Sequence, residues 1–181
     1  MQATFVVHVE DRPGVLNRVA SLVRRRGYNI ESLTVGRTET PGLSRMTIVV
    51  DTDESAVARL HANLDKLVNV RRVEDVTLAA SVVRDLAMIK VTATSDTRSQ
   101  IMQLADVFRA RVVDVAPDSL VIEITGTEDK VDGLLEMLRP YGVIEMARTG
   151  RVAMVRGAGS RTTNGEVREI EAGGEAVAYS V

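Results

Sequence analysis

Asp11-Arg12-Pro13-Gly14-Val15-Leu16 is the stretch of this sequence best suited to hold a small charged molecule. An alternating apolar run ends there and a helical one begins, so the first N–H groups of the helix lack carbonyl partners and its dipole favours an anion. Gly14 lets a ligand approach the backbone closely, and Asp11 adds an acceptor for an ammonium group. A free α-amino acid carries both charges and matches this pairing, whereas a phosphate would be repelled by Asp11. The same residues also suit a plain helix start, with Asp11 as cap and Pro13 stiffening the first turn. Asn29, after Gly27-Tyr28, is a small amide that both donates and accepts. Across a dimer interface it could meet the Asp11–Gly14 loop of a second copy; equally, it could serve only to take a left-handed turn after the helix.

Other chemistry-bearing residues offer less. Arg24-Arg25-Arg26 falls in the last helical turn before Gly27, where cations offset the negative end of the dipole. His8 and His61 are the only histidines and share no metal-ligand spacing. With no cysteine there is no thiolate nucleophile, disulfide or Cys-ligated metal. The acidic residues are spread over helix starts and exposed faces, and no two are placed as a paired acid and base. Lys and Arg total 23 against 25 Asp and Glu, a formal charge of -2, and aromatics are 3% of the 181 residues. That balance provides neither the basic field nor the stacking surfaces of a nucleic-acid binder, and no apolar run reaches the roughly 20 residues of a membrane span. The N-terminal residues lack a secretory pattern, so the expectation is a cytoplasmic protein without nucleic-acid or membrane partners.

The elements that must position the loop follow from periodicity. Phe5, Val7 and Val9 alternate in a strand, and Val15, Leu16, Val19, Leu22 and Val23 recur at helical spacing before Gly27. Strands at 30–37 and 46–50 flank a Pro41-Gly42 turn; Asp53 caps a helix bearing Val57, Leu60, Leu64 and Leu67, and 70–78 reads as a strand. The order is β-α-β-β-α-β. It recurs as a strand at 86–93, a helix at 97–108, strands at 112–115 and 120–125, a helix capped by Thr127, and a last strand from about 143 to 156. The fold class is therefore α+β, two tandem ferredoxin-like βαββαβ units, residues 1–79 and 80–156. Each is small enough that its open sheet face and edge strand are better buried, which points to oligomerisation. Residues 157–181 read as a polar tail rich in Gly, Ser, Thr and charge.

The stretch from Arg25 to Val50, RRGYNIESLTVGRTETPGLSRMTIVV, resembles the small regulatory subunit of acetolactate synthase, also called acetohydroxyacid synthase. The resemblance continues through His61 to Val70 (HANLDKLVNV) and Phe108 to Val115 (FRARVVDV) and covers roughly residues 2–156. It implies an ACT domain in the first unit, which binds amino acids at dimer interfaces, and a regulatory role without a catalytic centre. No cofactor is implied on this chain. The implied partner is a catalytic large subunit carrying thiamine diphosphate, Mg²⁺ and FAD, activated by the small subunit and inhibited through it by a branched-chain amino acid, usually valine. The implied effector residues are Asp11, Gly14, Val15 and Leu16 of one copy with Asn29 and Ile30 of the other. Thr34 and Arg37, toward which strand two runs from that site, are the expected contacts with the large subunit. The alternative is a stand-alone amino-acid sensor of the same fold acting on another partner.

Overall fold

The computed structural model describes residues 1–157; all but the first residue of the expected tail lies outside them. The first unit comprises β1 (Gln2–Glu10), α1 (Val15–Arg25), β2 (Asn29–Arg37), β3 (Leu43–Asp51), α2 (Glu54–Asp65) and β4 (Val70–Asp75). Its antiparallel sheet has the order β2-β3-β1-β4, which leaves β2 and β4 as edges. Period-two alternation sends Phe5, Val7 and Val9 of β1 to the helix side, where they pack with Ile48, Val19, Val23, Leu60 and Leu64. Asp53 caps α2, accepting from the Ala56 N–H at 2.9 Å. β4 stops at Asp75 rather than running to Leu78, because the Asp75 carboxylate accepts from the Thr77 N–H at 2.9 Å and turns the chain.

The second unit repeats the plan with β5 (Ser81–Thr92), α3 (Arg98–Val107), β6 (Arg111–Val115), β7 (Ser119–Gly126), α4 (Glu128–Leu138) and β8 (Val143–Arg148), in the order β6-β7-β5-β8. Ile89, Val91, Ile122 and Ile124 from the sheet pack with Ile101, Leu134 and Leu138 from its helices. Thr127 stands at the start of α4 but its hydroxyl makes no capping bond; Glu128 and Asp129 in the first turn complement the dipole instead. The last strand, expected as one run, is two. β8 pairs with β5 from Ala87 to Val91, the chain breaks at Thr149-Gly150-Arg151, and β9 (Val152–Val155) pairs with β5 from Ser81 to Arg84.

The β5–β9 ribbon lies on the face of the first sheet opposite the helices. Val83, Ala153 and Val155 meet Val6 and Val76 there, and Arg45 donates to the Ala153 carbonyl. Part of the sheet face expected to need another molecule is thus covered by the chain itself.

Beyond the ribbon the same face carries His8, 3.5 Å from Glu74 and flanked by Arg45 of β3, Arg72 of β4 and Glu39 of the hairpin. Burial lowers the His8 pKa from 6.5, with Arg45 and Arg72 adding to the effect and Glu74 and Glu39 opposing it. A histidine harder to protonate when folded contributes stability above its unfolded pKa, and that contribution is lost as pH falls through 6.5 toward the lower folded value. The urea midpoint should therefore drop over this range, and His8→Gln should flatten that part of the profile.

Candidate functional site

The β1–α1 loop forms at the end of a central strand. Glu10, the last residue of β1, accepts from Asn69 Nδ2 at 2.8 Å and pairs with Arg71 and, at 3.4 Å, with Arg12; Asn69 in turn accepts from Arg18 of α1 at 2.8 Å. The Asn69 hydrogen bond leads the causes that hold the Glu10 carboxyl below its ordinary pKa. This network ties strand, helix and the β4 entry together behind the loop. Sequence reasoning overlooked it; its one trace was Asn69 in the KLVNV segment.

Gly14 is the residue before α1, with φ at 83°, a left-handed conformation that explains glycine at this position. No side chain caps α1 and its first turn has no acidic residue. Among the described residues nothing accepts from the Leu16 and Asn17 amides, the second and third of the helix. An ideal Cβ at Gly14 would meet nothing within 4 Å, so the space over Gly14 at the helix start is open. Asp11 does not cap the helix. Its N–H donates to the Gly42 carbonyl at 2.8 Å, and its carboxylate sits 3.2 Å from Arg37 Nε. Asp11 is 40% and Arg37 87% exposed at the side chain, so the pair is water-screened and the carboxylate keeps an accessible oxygen edge.

The expected effector residues are only partly brought together in one chain. Val15 is turned into the core at 4% exposure, so it contributes backbone rather than side chain, while Leu16 is 43% exposed beside the loop. Asn29 and Ile30 lie at the far end of the sheet. Asn29 pairs with Asp51, which pairs with Gln2 at the start of β1, whereas the loop follows Glu10 at its end. Asn29 is not the left-handed residue after the helix; Gly27 is, with φ 77°. Its Nδ2 donates to Glu31 at 2.6 Å. Of the two expected partner contacts, Arg37 is at the surface, but the Thr34 hydroxyl oxygen is buried. Thr34 faces Gly150 of the second unit, a neighbour 116 residues away that no local pattern announces. Among the described residues no three His, Asp or Glu side chains converge as metal ligands, and no helix is long and apolar enough to cross a membrane.

These features coincide with known proteins along nearly the whole described chain. Residues 5–72 match the family model of the AHAS small subunit-like ACT domain, and residues 84–157 that of the small subunit of acetolactate synthase. A probable acetolactate synthase small subunit of Archaeoglobus fulgidus is 53% identical over 87% of this chain and 98% of its own. The acetolactate synthase small subunit of Bacillus subtilis is 43% identical over 94% and 99%. In three dimensions, the acetolactate synthase small subunit from Thermotoga maritima superposes with a TM-score of 0.80 at 39% identity, covering 86% of this chain and 98% of that one. With both units matched in order and relatives covered almost end to end, this chain belongs to the acetolactate synthase small subunit family and carries its ACT domain.

Proposed function

We propose that this chain is the regulatory subunit of a cytoplasmic acetolactate synthase, activating the catalytic large subunit and making it sensitive to a branched-chain amino acid, with valine as the preferred effector. The observation that carries the effector site is the β1–α1 loop, where unpartnered helix amides, an open approach over Gly14 and the Asp11 carboxylate stand together. The effector's carboxylate takes the Leu16 and Asn17 amides, and its ammonium takes Asp11.

The site is completed by a second copy. β2 is an edge strand with unpaired backbone groups, and an antiparallel pairing of two β2 strands centred on Leu33 would set Asn29 of one copy opposite Arg37 of the other. Arg37 is the partner of Asp11, so this pairing carries the second copy's Asn29 and Ile30 toward the loop. Ile30 and Leu16 then enclose the aliphatic side chain, and Asn29 supplies a second acceptor for the ammonium.

Regulation follows only from differential binding. An effector shifts the complex by as much as its affinity differs between the activating and inhibited states, typically about 1–3 kcal/mol in coupled systems. The chemistry itself is proposed for the large subunit, where thiamine diphosphate, Mg²⁺ and FAD reside.

Mixing the purified chain with its cognate large subunit should raise acetolactate production severalfold, and L-valine should return it toward the rate of the large subunit alone. An unchanged rate on mixing, with valine still bound in calorimetry, would favour a stand-alone sensor and reject this reading.

A further inference from the structure

The break between β8 and β9 is a contact between the two units. Gly150 is pressed against β2 so closely that an ideal Cβ would lie 2.5 Å from Ser32 Oγ, 2.6 Å from Thr34 Oγ1 and 3.1 Å from the Leu33 carbonyl oxygen. Its φ is not in the left-handed region, so space alone, not conformation, requires glycine there. The Arg151 N–H donates to Ser32 Oγ at 2.7 Å. The Arg151 guanidinium reaches Thr4 at 3.3 Å, Gln2 at 2.9 Å and Glu128 of α4 at 2.9 Å. One three-residue turn thus joins β1 and β2 of the first unit to α4, β8 and β9 of the second.

Three features make this turn a latch rather than a fixed joint. Beyond the turn the units meet through a small apolar cluster around Val6, Val76 and Ala153 and the Arg45 hydrogen bond to the Ala153 carbonyl, with an open polar cleft of about 380 Å³ beside the turn. Interfaces of this kind permit relative motion. A second seat is already present. Ser32 Oγ and Thr34 Oγ1 both lie within 2.6 Å of the same point above Gly150, yet Thr34 Oγ1 is buried and has no hydrogen-bond partner among the described residues. Thr34 Oγ1 is thus an unused acceptor on the same strand as the Ser32 hydroxyl that takes the Arg151 N–H. Finally, Ser32 and Thr34 follow Asn29 and Ile30 on the same strand, so a force applied at the start of β2 reaches the latch two to five residues on.

We propose that the Thr149–Arg151 turn couples effector binding at the first unit to the orientation of the second, with Gly150 as the positioning residue that lets the turn seat on β2. This rests on the regulatory reading above. Coupling between sites requires an element with two arrangements that both sites bias; the occupied Ser32 hydroxyl and the unpartnered Thr34 hydroxyl, both against Gly150, are the two seats proposed for it.

Gly150→Ala and, as a milder change, Ser32→Ala test this in the full chain. L-valine binding measured by calorimetry should stay within about threefold of wild type, while the valine concentration that half-inhibits the reconstituted enzyme should rise at least tenfold for Gly150→Ala, since each 1.4 kcal/mol of coupling lost is a factor of ten. Thermal unfolding of both variants checks that the fold is intact. Binding and inhibition both unchanged in Gly150→Ala would overturn the latch, as would parallel loss of both in the Ser32→Ala chain. A wild-type enzyme that valine does not inhibit would instead reject the regulatory reading itself, so the two failures are told apart by the control.

Discussion

Gly14→Asp is expected to abolish inhibition by L-valine in the reconstituted enzyme while leaving activation of the large subunit in place. Nothing lies within 4 Å of the new Cβ, so the substitution does not clash within the chain. The backbone at φ 83° is one that Asp and Asn tolerate better than other side chains, and the strain of roughly 1 kcal/mol is small against a typical stability of about 5–15 kcal/mol. What changes is charge. The new carboxylate stands at the start of α1, beside the Leu16 and Asn17 amides; it competes for them where it reaches them and repels the effector's carboxylate where it does not. Two hydrogen bonds to a charged group contribute about 1.5–3 kcal/mol each, so affinity should fall by at least about a hundredfold. Two companion variants separate the causes. Gly14→Ala imposes backbone strain without an acceptor and should leave most of the inhibition; Gly14→Asn adds a neutral acceptor of the same shape and should fall between. Valine sensitivity surviving in Gly14→Asp would remove the loop from the effector site, and equal loss in Gly14→Ala would make conformation, not charge, responsible.

Why the loop could be found from sequence and its surroundings could not is a matter of range. The elements are written in short periods: Phe5, Val7 and Val9 at period two, the α1 stripe at period three to four, Asp53 and Gly27 as start and stop. The duplicated order gives both sheets the same strand arrangement. The loop was legible because the junction of strand and helix, with Pro and Gly, is a local pattern. Arg37 beside Asp11 is not local; the β2–β3 hairpin folds back to bring it there. Nor is the setting of the break after Arg148 local, since apolar alternation resumes at Val152 and Gly150 between them packs against Ser32, Leu33 and Thr34. Val15 was read correctly as helical and apolar, but the same pattern cannot say that its side chain serves the core and only its backbone faces the loop. The place of Thr34 along β2 points to a contact with the large subunit, whereas its hydroxyl is buried against Gly150 of the second unit.

Arg148, the last residue of β8, holds two carboxylates, and Arg148→Met should cost about 3 kcal/mol of stability, the low end of the range for breaking a buried ion pair by removing one partner, because only Asp85 of the pair is buried. Arg148 Nε and Nη2 both donate to Asp85 Oδ2, at 2.9 and 2.6 Å, and Nη1 donates to Asp132 at 2.8 Å. Burial opposes the guanidinium charge, but the hydrogen bonds and charges of Asp85 and Asp132 outweigh it and raise the Arg148 pKa. Asp85 is 7% exposed at the side chain, and its second oxygen already lacks a partner. Without Arg148 that carboxylate is buried with no counter-charge, which is what makes the loss large. Removing the second charge as well should reverse this: Asp85→Leu combined with Arg148→Met should recover most of the loss, because well-packed apolar replacements of a buried pair are often near neutral. Urea unfolding of wild type, single and double variants reads both the loss and its recovery, and a single variant within about 1 kcal/mol of wild type would show that the pair does not hold this corner. The double variant carries a further consequence. Arg148 immediately precedes Thr149–Arg151, and Asp85 sits where β5 passes from β9 to its partners β7 and β8, so the ion pair sets the position from which the turn reaches β2. Apolar side chains can restore the stability of that corner but not its direction, and the recovered protein should still show weakened valine inhibition.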